Sequence, residues 1–458
     1  MSLARTLCAA VLIAAVLPLG PARADNAVLR PIEDLGDFLH RDALIAGNTF
    51  GLRKELEDRG IVVGIDEIAE VQGNVTGGLQ RASAADGRLE LFANVDMSQL
   101  VGWKATVHIN AYQIHGRGLT AGLGNLLTVS NIDATPSFRL FTLWVEQSLF
   151  DDQVSIRAGQ IAADDEFAVS QYASVFINSA FGWPSLMGTD LPSGGPAYPL
   201  ATPGMRVRVA VSPSVVLMGA ILNGDPAPAG PGDPQLRNPD GLRFRTDGGL
   251  LLIGEMDYSY NIGDNLPGTL KLGAWYHDGD FANQRTDTAG NSLASPLSNG
   301  VAGTLHSDFG GHIIVDQMLW RETLGGDQGL DAFVRMGAGP GDRNMVQFHA
   351  DGGLTYTGLI DGRDTDVVGL AYSYERIGDA RRGLSQDLRA VAGPGVPLAD
   401  YESVIEFSYQ AQVAPWLIVQ PDLQLVLHPG ARLLDVGAPV TPPPHDALVL
   451  GLRTAVSF

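Results

Sequence analysis

From residue 61 to the last residue, apolar and polar side chains alternate with a period of two. That is the spacing of a strand with one face in an apolar phase and the other in water. In Arg88-Leu89-Glu90-Leu91-Phe92-Ala93-Asn94-Val95-Asp96-Met97 the odd positions are apolar and most even ones polar. Thr106, His108 and Asn110 alternate with Ala105, Val107 and Ile109, and Tyr401, Ser403, Ile405, Phe407 and Tyr409 with Glu402, Glu406, Ser408 and Gln410. About 16 such segments occur, each close to the roughly ten residues of a tilted membrane strand. They lie near 61–72, 87–97, 102–115, 137–148, 153–161, 203–212, 214–223, 250–261, 268–277, 310–321, 329–338, 344–357, 365–376, 401–413, 416–427 and 447–458.

The connections between them alternate in length. Long ones fall at 73–86, 116–136, 162–202, 224–249, 278–309, 377–400 and 428–446, with short turns such as 97–101, 149–153, 262–267 and 414–415 between. One short joint, 339–343, stands where a long loop is due. A soluble sandwich has no reason to put nearly every second loop at one end, whereas an outer-membrane barrel does. Closure also pairs every backbone N–H and C=O within lipid, where an unpaired group costs several kcal/mol. The pattern predicts an all-β chain forming a transmembrane antiparallel β-barrel over 61–458.

The preceding residues divide in two. Met1 to Ala24 reads as a cleaved export signal, with Arg5 at its start, an apolar stretch from Leu7 to Leu17, and Ala22-Arg23-Ala24 as the cleavage site. Cys8, the one cysteine of the chain, lies inside it, so the exported protein carries no disulfide. Residues 25–60 form a periplasmic segment in which Leu52 to Arg59 reads as a short helix stopped by Gly60. Phe458 closes a strand that is apolar at every second place apart from Thr454. A terminal aromatic of this kind resembles the signal read by the outer-membrane assembly machinery.

Thirty Lys and Arg stand against 51 Asp and Glu, a net charge of −21 that becomes −23 once Arg5 and Arg23 are removed. A balance this acidic excludes nucleic acid as a partner, because phosphate needs a basic surface. A barrel of this size leaves an aqueous lumen, so the polar parity faces water and solute. On the second to sixth strands it places Arg88, Glu90, Asn94, Asp96, His108, Asn110, Trp144, Glu146, Arg157, Arg206 and Arg208 on the pore wall. Guanidinium and carboxylate groups suit the hydroxyls of a sugar, and an aromatic ring suits its C–H face. Trp144 would either stack on sugar or pack beneath a loop. The long loop 162–202, with Asp164, Asp165 and Glu166, is the expected constriction.

Several stretches resemble the carbohydrate-selective porin family of the OprB type. They include Gly159-Gln160-Ile161-Ala162-Ala163-Asp164-Asp165-Glu166-Phe167, Phe176-Ile177-Asn178-Ser179-Ala180-Phe181-Gly182 and Arg139-Leu140-Phe141-Thr142-Leu143-Trp144-Val145-Glu146-Gln147. Asp316-Gln317-Met318, Pro340-Gly341-Asp342-Arg343-Asn344, Gln420-Pro421-Asp422-Leu423-Gln424 and His428-Pro429-Gly430 extend the likeness over 52–458. The resemblance implies a 16-stranded outer-membrane porin passing neutral sugars such as glucose down a gradient. A general or cation-preferring porin is the alternative, motivated by the net charge. An enzyme on a barrel scaffold is a third reading, but no Ser/His/acid set assembles. Asp164-Asp165-Glu166 reads as solvated rather than as a glycosidase pair. His306 and His312 lack a third metal ligand, so neither metal nor cofactor is expected.

Overall fold

The computed structural model describes residues 52–263 and 265–458. Among these, sixteen strands close into one antiparallel barrel. They are β1 Ile61–Gly78, β2 Ser83–Asp96, β3 Ala105–Arg117, β4 Ser137–Leu149, β5 Val154–Ile161, β6 Thr202–Ser212, β7 Val215–Asn223 and β8 Leu250–Ile262. The circuit continues through β9 Leu266–Asp287, β10 Ala302–Arg321, β11 Gly329–Ala338, β12 Val346–Thr357, β13 Val367–Ile377, β14 Tyr401–Ala414, β15 Leu417–Leu427 and β16 His445–Ser457. Each strand pairs with its chain neighbours, and β1 pairs β16 from Asp66↔Ser457 to Gly78↔His445. The circuit has no first or last strand, which is what hydrocarbon requires of a strand protein.

The helix Leu52–Glu57 precedes β1 at the rim that also holds the chain terminus, here called the lower rim. The Arg53 guanidinium donates to the Phe458 carbonyl at 2.7 Å, and the Phe458 N–H donates to Ile65 O at 2.9 Å, tying both ends of the chain together. The export signal and residues 25–51 lie outside the described residues.

Outward positions are apolar and exposed, as at Leu217, Ile221, Leu252, Ile313, Leu354, Leu370, Phe407, Leu450 and Leu452. The alternation therefore has the cause inferred from it. The expected loop boundaries need two corrections. Residues 73–86 are not a long loop: β1 and β2 pair as far as Gly73↔Ser83, leaving a tight connection at 79–82. Gly77 and Gly78 adopt φ of 71° and 72° there, and the Asn74 side chain bonds Gly77 O, Gln80 O and Ala82 N. Likewise β9 runs on to Asp287 and β10 begins at Ala302, so 278–309 shrinks to a connection over 288–301. Above the lipid both faces of a hairpin are wet, so pairing continues after the apolar parity has ended.

A third correction concerns the interior. The lumen-facing parity is not uniformly polar, because loops fold into the barrel and carry a core with them. Leu119, Leu123, Leu127 and Val129 of the 118–136 loop and Phe176 and Phe181 of the 162–201 loop are buried against Phe333, Val404, Val426 and Val449 of the wall. On the other side Phe167, Leu186, Met187 and Leu191 pack on Leu222, Leu251, Ile253, Trp275 and Ile314. Each large apolar side chain so buried contributes about 1.5–3 kcal/mol. The barrel thus has two hydrophobic interfaces, one outside against lipid and one inside against its own loops.

Candidate functional site

A loop held inside a barrel brings backbone N–H and C=O groups away from bulk water, and each needs a partner. The wall of β8–β16 supplies them. Glu406 accepts the N–H groups of Ile177 (2.6 Å) and Asn178 (2.9 Å), and Glu255 accepts that of Ala168 at 2.9 Å. Asp316 takes the Gln171 N–H and the Ser170 hydroxyl. Arg335, 1% exposed, donates to the carbonyls of Ala168, Ala180 and Gly182 while its Nε holds Asp351 at 2.8 Å. In return Asp190 of the loop accepts the N–H groups of Met345 and Val346. The 118–136 loop is held in the same way, with Glu402 accepting from Leu126 and Leu127 and Gln424 donating to Val129 O. Two loops therefore fill the β11–β16 side, where the sequence suggested one. Glu402 and Glu406 stand on a readable polar parity, but their partners lie over 220 residues away.

The open side of the lumen faces β2–β6, where most of the expected pore residues meet. Arg157 contacts Glu146 through Nε at 2.8 Å and a terminal nitrogen at 2.7 Å, and lies 3.5 Å from Glu166. Arg206 bonds Glu166 twice, at 2.6 and 2.7 Å, as well as Glu146 at 3.0 Å and Ser155 at 2.7 Å. Two cations and two anions so interlocked are locally neutral. Arg208 lies one inward position further along β6, paired with Ser155 across the ladder. Arg88 sits 4.6 Å above the Tyr112 ring and 5.3 Å from that of Tyr198, with Glu90 at 3.8 Å. Asn110 links Glu90 (2.8 Å) to Thr142, and Asn94 holds His108 at 2.7 Å.

Two of the expected residues have other partners. Asp96 ends β2, and its carboxylate caps the helix Met97–Val101 through the Ser98 N–H at 2.9 Å, so it shapes a lower-rim turn. Trp144 is 7% exposed: His108 stacks on it from β3 at 4.8 Å, and the Arg157 guanidinium lies 3.8 Å from its ring centre from β5. Trp144 is thus enclosed between side chains of its neighbouring strands. Replacing it by alanine is expected to destabilise the barrel by roughly 3–5 kcal/mol, read as a lower temperature for loss of the compact band in detergent gels, with the sugar half-saturation of any surviving channel unchanged.

Arg139 and Phe141 also face the lumen, against the parity of Trp144 and Glu146. Opposite Asn110 the β3–β4 register jumps from Ile109↔Leu143 to Ala111↔Leu140, so β4 carries an extra residue there. Such a bulge reverses the faces above it. Arg139 donates to Pro199 O and Gln235 O, and Phe141 packs with Tyr112 and Tyr198. No one-sequence parity count could show this switch.

Between the loops and this wall lies a cavity of about 800 Å³, lined among others by Arg88, Asp164, Trp183, Tyr198, Arg335 and Arg453. Asp164 accepts the Tyr198 N–H at 2.8 Å, while burial pushes its carboxyl up to about 6, an effect which that hydrogen bond and Arg88 oppose. Asp165 and Glu166 follow it, Asp165 being exposed to the lumen. An ordinary aspartate is ionised throughout pH 5–7, but burial inside the barrel holds both Asp164 and its neighbour Asp165 above the usual range, so this pair gains negative charge at higher pH than a free aspartate does. Cation preference, measured as reversal potential in a salt gradient, should therefore rise from pH 5 to pH 7, and Asp164→Asn should flatten the rise.

The chain and its fold have counterparts among known proteins. Porin B of Pseudomonas aeruginosa is 23% identical over 84% of this chain and 86% of its own length. A putative porin, QuiX, of Acinetobacter baylyi is 23% identical over 92% of this chain and 95% of its own. The high-pH structure of Pseudomonas putida OprB superposes with a TM-score of 0.80 at 25% identity, over 91% of this chain and 99% of that one. The family model described as carbohydrate-selective porin, OprB family, matches residues 80–458, and the chain belongs to that family.

Proposed function

We propose that the chain is exported by its first 24 residues, assembled into the outer membrane with Phe458 as the recognised end, and carries small neutral sugars such as glucose by passive diffusion. The observation that carries this reading is the neutral Arg157–Glu146–Arg206–Glu166 cluster beside Arg88 at the narrowed lumen. Fixed donors and acceptors in alternation can exchange hydrogen bonds with successive hydroxyls of a sugar, replacing the water it sheds. A transverse field of this kind also disfavours apolar solutes.

The net charge of −21 would by itself favour a cation channel. Much of the interior negative charge is engaged, however: Glu255, Asp316, Glu402 and Glu406 bind loop N–H groups, and Glu146 and Glu166 bind arginines. That favours sugar over cation selectivity. Liposome swelling tests it, with glucose flux expected to saturate and to fall roughly tenfold in Arg88→Ala, while the variant still reconstitutes. Equal flux in both, or large cation current that sugar does not block, would replace this reading by the general porin.

A further inference from the structure

Beyond the pore, we infer that the upper rim at β3–β4 carries a docking site for a phosphorylated glycolipid of the outer leaflet. The inference rests on the outer-membrane location proposed above, with the rim that holds Phe458 facing the periplasm and the upper rim facing outward. Three elements meet there. β5 ends at Ile161 where the chain dives into the lumen, which leaves the upper part of β4 without its neighbour. The loop after β7 fills the gap: Asp240 O accepts the Leu140 N–H at 3.0 Å, and Gly241 O accepts the Gln160 side chain at 3.1 Å. Gly241 has φ 68°, and a Cβ there would lie 1.9 Å from Leu140 O, so glycine is required for this close approach. The segment is thus built into the wall, and Leu242-Arg243-Phe244 emerges directly beside β4.

What emerges is amphipathic. Leu242 is 56% exposed, Phe244 49%, and Phe138, outward on β4 two residues from Leu140, 62%. Large apolar groups left in water forfeit the free energy of burial, whereas at the level of acyl chains they recover it. Cations flank them. Phe138 is the ladder partner of Gln113, and His115 and Arg117 follow on the same face of β3. His115 lies across Gly87 of β2 and reaches Glu67 at 3.4 Å. Arg117 and Arg243 are exposed and, among the described residues, neither makes an ion pair or side-chain hydrogen bond, unlike Arg245, which is held by Asp225 and Asp247. Asp240 and Asp247 are exposed acids of the patch; the Asp240 carboxylate takes the Leu242 N–H at 3.1 Å, and Asp247 is turned to Arg245.

Two unpaired arginines beside exposed Phe and Leu side chains, on a chain of net charge −21, complement a lipid that is itself both phosphorylated and acylated. The test uses the full exported chain in detergent, with purified bisphosphoryl lipid A and its dephosphorylated form as probes in native mass spectrometry. Wild type should retain bisphosphoryl lipid A at least tenfold more tightly than Arg117→Ser/Arg243→Ser, since each arginine near an anionic lipid surface contributes about a fivefold effect. It should likewise prefer the phosphorylated over the dephosphorylated lipid. Phe138→Ser, a single outward change, should weaken both lipids together. Equal binding of both lipids by wild type, or undiminished binding by the double variant, overturns the proposal. Glucose swelling on the same preparations is expected to be unchanged between wild type and double variant, so a failed lipid test with intact sugar flux refutes the docking site and leaves the channel reading standing.

Discussion

Replacing Arg335 by alanine is expected to release the inward loop 162–201 and widen the channel. Its guanidinium is the group through which β11 holds three loop carbonyls, those of Ala168, Ala180 and Gly182, while pairing with Asp351. Both members of the pair are buried, Arg335 at 1% and Asp351 at 3% exposure. Removing one partner of a buried pair costs about 3–5 kcal/mol, because the other is left unpaired. The barrel ladders do not pass through this contact, so the loss falls on the loop. Conductance should rise roughly twofold if half the loop leaves the cross-section, and oligosaccharides excluded by the wild type should swell liposomes. Arg335→Lys should restore little, since three donors on one ammonium nitrogen cannot span the three carbonyls and Asp351 that the planar guanidinium reaches through Nε and both terminal nitrogens. An unchanged size limit in both variants would show that the apolar contacts of Phe176 and Phe181 suffice to hold the loop.

Neutralising Glu146 and Glu166 together, as Glu146→Gln/Glu166→Gln, should convert the channel to anion preference. Arg157 and Arg206 then lose the carboxylates 2.6 to 3.5 Å away that balance them, and shape is nearly unaltered. Two uncompensated cations at a narrow point raise the local potential by several kT, so the cation-to-anion permeability ratio should fall roughly tenfold. Glucose flux should fall with it, because an amide accepts less strongly from a hydroxyl than a carboxylate does. Reversal potential and liposome swelling measure the two effects separately. A ratio that does not move would mean that ions bypass the cluster, and the constriction would then lie elsewhere along the cavity.

Much of the barrel was legible in the chain because lipid and water impose opposite demands on successive residues. The expected strand 329–338 coincides with β11, and most of the others fall within a few residues of those observed. Legibility failed where that contrast fades. The hairpins β1–β2 and β9–β10 continue above the lipid with no apolar parity to announce them. At the β4 bulge one extra residue turns Arg139 and Phe141 inward. Of the expected pore residues, Arg88, Glu90, Asn110, Glu146, Arg157, Glu166 and Arg206 converge on one wall. Trp144 and Asp96 proved to be held by neighbours that a parity count does not show.

By itself the sequence determined that alternate side chains meet two different media, and hence strand number, order and the facing of most charges. These are local properties, written every second residue and enforced at each position by the cost of a polar group in hydrocarbon. Only the tertiary structure decided which acids on the inner wall are spare charge and which are acceptors for a loop. Glu406 and Ile177 are separated by 229 residues, and nothing in either neighbourhood specifies the other. Their meeting depends on the curvature that brings β14 opposite the end of β5, and on the apolar surfaces that fold the loops inward. The width and the charge of the passage are therefore properties of the closed barrel with its loops in place.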